Sequence, residues 1–337
     1  MNTLSQNKKR VYWIDALRGL AMLFVIIGHN CAGATEYFVL TSPIKIPLFF
    51  AITGYVMNIR GGDTKGFFKN LFWKLAIPWF CLSLLPLKLC KALIQLSSST
   101  AGRYLYEFVS GGILWYMPCC ILAEIMQFFI RKHCKGPIRY GVMLLISSAG
   151  LMLSRYQIAG FAGFNTACIA QAFIMLGLFL REVRIEQKKA VAATGFLLYA
   201  AGVALTLILF PDQCLDVHTN SYYSLPICIM MILTGCTLCF LLAERADKQW
   251  SFSKRNPLVF IGQNTLVFYM LSSYVIKVWN KGMAFLRIDV PQGPMKVVLN
   301  TIVMCAGCAA IAMLFNRFIP VIVGKKNAQS IFRKKAH

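Results

Sequence analysis

The chain has 337 residues, of which 58% are apolar and only 14% are charged. Soluble domains carry about a quarter charged residues, so this composition excludes an ordinary soluble protein. The mean hydropathy of +0.62 indicates instead an integral membrane protein. The net charge of +23 predicts basic cytoplasmic loops and contact with membrane lipids, and in so apolar a chain it does not indicate nucleic-acid binding.

Ten apolar stretches, each near the length of about 20 residues that crosses a bilayer, follow one another along the chain. They cover 12–31, 43–59, 75–95, 110–130, 140–154, 165–180, 190–210, 222–243, 258–278 and 295–319. Lys and Arg are concentrated in the segments that lie inside if the N-terminus is cytoplasmic. The positive-inside rule then predicts an all-α polytopic membrane protein, a bundle of about ten transmembrane helices with both termini cytoplasmic. On this threading, Lys45 belongs to the outer end of the second span.

The chain is expected to form one integral membrane domain, 1–337, in the inner (plasma) membrane. Residues 1–11 are a basic cytoplasmic N-terminus, 12–319 the bundle and 320–337 a basic cytoplasmic tail. The first span is followed by Ala-Gly-Ala, which resembles a signal-peptide cleavage site, but the span contains charged residues and we expect it to be retained. Because the loops are short, any function should lie within the bundle or at its mouths.

The cysteines do not indicate a disulfide scaffold. Most of the 13 lie inside apolar runs, where a thiol behaves as a small hydrophobic group. Two CxxC pairs, Cys236/Cys239 and Cys305/Cys308, lie within predicted spans that offer no neighbouring His or acidic ligand. We therefore predict no metal site.

The first span carries three ionisable residues on one predicted helix face. Burying an ionised side chain in a bilayer costs on the order of 2.5–3.5 kcal/mol, so such residues are candidates for function. Eleven helical steps from Arg18 to His29 turn the helix only about 20° past three full turns and advance it by about 16.5 Å. Asp15 falls on the same stripe. The alternatives are an Arg that reaches lipid head groups and a His at the interface.

The fourth predicted span carries a carboxyl group at a similar depth. Glu124 and Arg18 each lie about 9 Å from the cytoplasmic boundary, and an unpaired carboxylate there would be costly. We expect that Glu124 or Asp15 pairs with Arg18 inside the bundle. Trp115 and Tyr116 should lie nearer the outer end, where an interfacial aromatic belt is the alternative explanation for them.

Several segments together resemble one family of membrane enzymes. Residues 13–21, WIDALRGLA, with Arg18 followed by ten residues and then His29, resemble the opening signature of the acyltransferase 3 family of integral membrane O-acyltransferases. Residues 49–55 (FFAITGY), 114–117 (LWYM), 181–184 (REVR) and 262–269 (GQNTLVFY) are similar to later family segments. One departure is that many members have a His just after the late Tyr, where this chain continues MLSS.

The resemblance implies transfer of an acyl group, usually acetyl, from cytoplasmic acyl-CoA to a hydroxyl of a cell-envelope glycan or a lipid-linked sugar. His29 would act as general base and Arg18 would share the catalytic site. Arg181 and Arg184 would bind the CoA phosphates, although both can also be ordinary positive-inside residues. No metal is implied, and we expect no SGNH-type esterase domain after the membrane part.

The remaining site residues are expected in supporting roles: Asp15, Glu124, Trp115 and Tyr116. Thr53 and Gly54 fit close helix approach better than catalysis. The alternative function from a different class is a transporter or flippase of a polar or lipid-linked sugar, in which the charged group of the first and fourth spans would gate the substrate.

Overall fold

The computed structural model describes residues 10–31, 34–57, 64–84, 114–158, 161–183, 189–288 and 293–325. Within these ranges the protein is helical and has no strand; an isolated β-bridge joins Asp216 to Ser221. The all-α prediction is therefore confirmed for this part of the chain. Arg184, one of the two arginines expected to bind CoA, lies outside the described residues.

The α-helices of the described residues are numbered here in chain order. They are α1 (Tyr12–Asn30), α2 (Thr35–Val56), α3 (Thr64–Leu71), α4 (Ile77–Leu84), α5 (Tyr116–His133), α6 (Gly136–Arg155), α7 (Phe164–Val183), α8 (Lys189–Leu209), α9 (Leu225–Trp250), α10 (Pro257–Gln263), α11 (Thr265–Phe285) and α12 (Pro294–Phe318). A π-helical stretch, Phe72–Ala76, joins α3 to α4. Short 3-10 turns, Phe161–Gly163 and Pro320–Val323, precede α7 and follow α12.

Seven of the described helices are long and apolar enough to cross a membrane: α1, α2, α6, α7 with its preceding turn, α8, α9 and α12. The pair α10 and α11 adds an eighth span if it is counted as one, although the two helices meet at a bend of 95°. α5 has 18 residues, but Glu124, Arg131 and Lys132 reduce its apolar character. The predicted spans 75–95 and 110–130 extend beyond the described residues, so the count of ten and the orientation of the termini stay predictions.

The second helix begins earlier than the sequence indicates. α2 runs from Thr35 to Val56, not from residue 43, and it contains Pro43 and Pro47. Proline is favoured in the first turn of a helix, so the sequence around Pro43 is typical of the start of a helix. Pro47 has no N–H for the carbonyl of Pro43, and the Cys236 thiol from α9 donates to that carbonyl at 3.9 Å. Lys45 therefore lies near the middle of this 22-residue helix, and its place at the outer end of a membrane span stays a prediction.

Glycine allows two pairs of helices to cross at backbone contact. A Cβ on Gly19 of α1 would overlap the carbonyl oxygen of Leu258 in α10. A Cβ on Gly54 of α2 would overlap the carbonyl oxygen of Ile174 in α7, which confirms the interpretation of Gly54 as a residue of close helix approach. These crossings fix α1 and α2, the two helices that carry the first two family-like segments.

A polar pair buried between α5 and α7 holds the fourth predicted span in the bundle. Gln127 donates from Nε2 to Oε1 of Gln171 at 2.8 Å, and both side chains are fully buried. Gln171 also donates to the carbonyl oxygens of Ala167 and Ala123, at 3.0 and 3.3 Å. α5 is therefore anchored by amide hydrogen bonds as well as by apolar packing.

Candidate active site

A cavity of about 230 Å³ lies between α1, α2, α5 and the start of α11. The end of the bundle where α1 begins is called the inner end here, following the predicted orientation, and the opposite end is called the outer end. α1 contributes Arg18, Met22 and Val25 to the cavity wall. These residues are spaced by four and then three positions, so they form one face of the helix. The predicted stripe that starts at Arg18 therefore does line an internal space.

His29 continues this stripe but does not line the cavity. It lies about 6 Å beyond Val25 along the helix axis, near the end of α1, and its side chain is exposed. The Lys45 side chain on α2 is close enough to interact electrostatically with it. No histidine lines the cavity among the described residues. The imidazole therefore stands just past the outer end of the cavity.

At the inner end, Asp15 interacts with three polar side chains. Arg10 Nε donates to its Oδ2 at 2.6 Å, and Arg18 Nη1 lies 3.7 Å from its Oδ1. Gln263, at the end of α10, donates to Oδ2 at 3.1 Å. Asp15 is only 3% exposed. Of the two carboxyl groups expected to pair with Arg18, Asp15 is therefore the partner found here.

Glu124 faces the same cavity as Arg18 without forming a salt bridge to it. Both residues are part of the wall, and Arg18 and Lys74 attract the Glu124 carboxylate electrostatically. Among the described residues, no basic group lies within 4 Å of that carboxylate. The inner part of the cavity therefore presents a guanidinium and a carboxyl group on facing helices.

Aromatic residues from three of the family-like segments meet at the cavity. The Tyr116 ring lies 5.8 Å from that of Phe49 on α2 and 5.6 Å from that of Tyr269 on α11. The backbone N–H of Tyr116 donates to the Tyr269 hydroxyl at 3.4 Å. All three rings line the cavity, and so does Thr53. Tyr116 is therefore a wall residue rather than a member of an interfacial belt.

Trp115 does not line the cavity but supports the outer loop that follows α8. Its ring stacks on that of His218, with centroids 4.7 Å apart and planes at 21°. Asp216 accepts the His218 backbone N–H at 2.9 Å and the Thr219 hydroxyl at 2.9 Å. Nothing in the sequence indicated this contact, which joins residues about 100 positions apart. The stack fixes the loop beside the start of α5.

At the inner end of α2, two arginines converge on one carbonyl oxygen. Arg181 Nη1 donates to the carbonyl of Met57 at 3.0 Å, and Arg131 Nη1 donates to the same oxygen at 2.6 Å. Met57 lies about 6 Å along the axis from Thr53, so both guanidinium groups stand near the inner side of the cavity. Arg181 belongs to a family-like segment of the sequence, whereas Arg131 is one of several basic residues at the end of α5.

The bend between α10 and α11 is held by amides. Asn264 donates to the carbonyl of Phe260 at 2.8 Å, and its Oδ1 accepts from Asn316 and from Lys325, each at 2.8 Å. Burial, and then the charge of Arg10, lowers the pKa of Lys325. This network fixes the start of α11, from which Thr265, Leu266 and Tyr269 reach the cavity.

Ser272 lies one turn after Tyr269, in the region where many members of the family that the sequence resembles have a His. Its side chain is fully buried, and its Oγ has no hydrogen-bond partner among the described residues. It does not line the cavity. Ser272 is therefore not placed to take over the role of such a histidine.

A comparison with protein families finds one match over most of the chain. A family model described as an acyltransferase domain matches residues 11–317. The matched range includes every residue that lines the cavity. A comparison with curated proteins gives no match.

Proposed function

The chain belongs to the acyltransferase 3 family and is a membrane acyltransferase, and from this premise we propose that it transfers an acetyl group from cytoplasmic acetyl-CoA to a hydroxyl of a cell-envelope glycan or a lipid-linked sugar. The enzyme would lie in the inner membrane. One observation supports this proposal above the others. The cavity begins at Arg18 and follows one face of α1 toward His29.

The inner end offers cations for the phosphates of CoA. Arg139 pairs with Glu182 at 2.6 Å, whereas among the described residues Arg131 and Arg181 have no carboxylate within 4 Å. Both donate to the Met57 carbonyl, and Arg181 also donates to the Tyr55 carbonyl at 3.5 Å. A guanidinium group has five N–H donors, so these carbonyls leave most of the donors of both arginines for a ligand. Bidentate contacts to phosphate are the strongest use of such donors. We assign the diphosphate to Arg131 and Arg181, with Arg184 as a further candidate.

The apolar part of the cavity suits the pantetheine arm. Met22 and Val25 of α1 face Ile46 and Phe49 of α2 across it. The arm is long and slender, and the separation of about 16.5 Å between Arg18 and His29 is of the scale needed to bring a thioester from one end to the other. The thioester would then emerge beside His29.

At that point a neutral imidazole can act as general base. His29 takes the proton of the acceptor hydroxyl while the hydroxyl oxygen forms a bond to the thioester carbonyl carbon. The tetrahedral intermediate then collapses, the carbon–sulfur bond breaks, and the imidazolium returns the proton to the leaving thiolate. Products are the O-acetylated acceptor and free CoA. No covalent acyl-enzyme is needed.

The test uses membranes from producing cells, which contain their own glycan, and radiolabelled acetyl-CoA. The wild-type protein should move label into glycan and release CoA thiol, and His29→Ala should lower the rate by about 10²–10⁴-fold, the range of general-base catalysis. Lys277→Ala, an exposed residue of α11, is the matched control and should keep full activity. Full activity of His29→Ala would contradict the role given to His29.

Loss of acetyl from envelope glycans in cells without the protein, measured by mass spectrometry, identifies the acceptor.

The sharp bend at Asn264 is the feature that would favour a transporter, because transporters place substrate sites at broken helices. In this protein, however, the polar groups at the bend bind one another. Asn264 Oδ1 already accepts two hydrogen bonds, from Asn316 and Lys325. The acyltransferase function is therefore the one we retain.

A further inference from the structure

Lys45 is a basic residue in the apolar middle of α2. A Lys in an apolar membrane helix normally has a functional or structural partner. Among the described residues it forms no salt bridge within 4 Å. Its Nζ lies 4.6 Å from the centroid of the Phe38 ring. The fold therefore keeps an ammonium group in an apolar helix without neutralising it.

The ammonium group points to the outer end of α1. Nζ lies 3.8 Å from the position that a Cβ on Gly28 would occupy, and Gly28 directly precedes His29. Lys45 also directly precedes Ile46, which lines the cavity. The Lys45 charge therefore stands where the cavity ends and His29 begins, on the helix that faces α1.

Asp216 of the outer loop is the nearest balancing charge. It attracts Lys45 electrostatically, but it lies beyond salt-bridge distance and already accepts hydrogen bonds from His218 and Thr219. Asp216 can therefore help to keep the ammonium group charged without occupying its N–H donors. These donors remain open to a ligand at the outer end of the cavity.

Acyl transfer needs a hydrogen-bond donor beside the thioester carbonyl oxygen. When the acceptor oxygen attacks the thioester, the carbonyl oxygen becomes negatively charged, and a donor fixed at that oxygen lowers the barrier. The cavity wall supplies Arg18 at the inner end, about 16.5 Å from His29, which is too far to serve the same carbonyl. Lys45 is the cation beside His29.

We propose that Lys45 is a catalytic residue of the acyl transfer, donating a hydrogen bond from Nζ to the thioester carbonyl oxygen as it becomes an oxyanion. This inference rests on the proposed function. The acceptor oxygen forms the new bond to carbon, His29 takes its proton, and Lys45 stays protonated throughout. When the oxyanion collapses and the carbon–sulfur bond breaks, the proton passes from His29 to the CoA thiolate.

The experiment compares Lys45→Met, Lys45→Arg and wild type in the membrane assay with acetyl-CoA. Lys45→Met removes the donor and should lower kcat by about 10²–10³-fold, as loss of one oxyanion donor does elsewhere. The KM for acetyl-CoA should stay within about two-fold, because the interaction forms only in the transition state. Lys45→Arg, which keeps a charged donor, should recover about ten-fold or more of the loss. Hydrolysis of acetyl-CoA by water should fall in parallel, since the same oxyanion forms.

Lys277→Met, an exposed lysine of α11, is the control for loss of a positive charge and should keep full activity. If Lys45→Met does not fold, as judged by thermal unfolding in detergent, Lys45→Gln provides the same test with a polar neutral side chain. Unchanged kcat in Lys45→Met, or a rise only in the KM for the acceptor with hydrolysis unaffected, would overturn the proposal and leave the proposed function standing. A wild-type protein that moves no acetyl group would overturn both.

Discussion

The backbone of Gly262 packs directly on the carbonyl group of Asp15, where α10 crosses α1. On the other side of the crossing, Gly19 packs on the carbonyl of Leu258. Asp15 also holds Arg18, and α10 leads through the bend into the turn of α11 that carries Tyr269. The crossing therefore sets the distance between two walls of the cavity.

A methyl group at this crossing should be strongly destabilising. In Gly262→Ala the new Cβ would overlap the Asp15 carbonyl oxygen, so the two helix backbones must move apart. Overpacking of this kind costs typically about 1–3 kcal/mol, and more where backbone must move. We expect a lower unfolding temperature in detergent together with loss of acetyl transfer.

Gly282→Ala provides the matched control, because Gly282 is also helical and has no neighbour within 4 Å of its Cβ position. Alanine is favoured over glycine in a helix by about 1 kcal/mol, so this variant should be unchanged or slightly more stable. Equal stability of Gly262→Ala and Gly282→Ala would contradict the contact described at the crossing.

The buried pair of Gln127 and Gln171 gives a second prediction. Gln171→Leu leaves the Gln127 amide without the acceptor that lies 2.8 Å away, in a fully buried position. We expect a loss of about 1–2 kcal/mol of stability, the range of interhelical hydrogen bonds in membranes. Thermal or denaturant unfolding in detergent measures it.

The double variant Gln127→Leu/Gln171→Leu distinguishes a lost hydrogen bond from lost packing. With both amides removed no buried donor is left unpaired, so the double variant should be more stable than the sum of the single losses predicts. Strictly additive losses would show that the two amides do not interact.

The cavity wall on α1 could be predicted from sequence because it depends on helical periodicity alone. Arg18 and His29 were placed on one face, and the cavity does follow that face past Met22 and Val25. The pairing of Asp15 with Arg18 is also local, three residues apart. Features that depend on the repeat of one helix can therefore be predicted without any tertiary contact.

Features that depend on contacts between distant segments could not be predicted. The sequence predicts a second span that begins at residue 43, whereas the helix begins at Thr35 and runs through Pro43, whose carbonyl accepts from the Cys236 thiol of α9. Arg131 and Arg181 are 50 positions apart, and nothing local indicates that both donate to the Met57 carbonyl. Such contacts are selected by packing between helices, which composition and periodicity do not encode.

The paired arginines give a third prediction, on substrate affinity. Arg131→Ala and Arg181→Ala should each raise the KM for acetyl-CoA about ten-fold or more, since a charge-assisted hydrogen bond contributes about 1.5–3 kcal/mol and 1.4 kcal/mol is ten-fold. The kcat should change little, because these contacts are the same in the ground state and the transition state. The measurement is the acetyl-CoA dependence of label transfer into glycan.

Lys248→Ala is the control for this pair, because Lys248 is an exposed residue of α9 that pairs with Glu244 four positions earlier. Its KM for acetyl-CoA should equal that of the wild type. If Arg131→Ala and Arg181→Ala also leave the KM unchanged, the CoA phosphates bind elsewhere, and the two arginines serve only to cap the carbonyls at the end of α2.

The two histidines near the outer end, His29 and His218, give the last prediction. The His218 ring stacks on Trp115 and its backbone N–H donates to Asp216, and both contacts survive in His218→Phe. We therefore expect His218→Phe to keep acetyl transfer within about three-fold, whereas His29→Phe removes the base and should lose about 10²–10⁴-fold. His218→Ala, which removes the stacking, should lower the unfolding temperature more than His218→Phe does, because an aromatic pair contributes about 0.5–1.5 kcal/mol. A loss in His218→Phe as large as that in His29→Phe would transfer the role of base to the outer loop, since the two variants remove the same group.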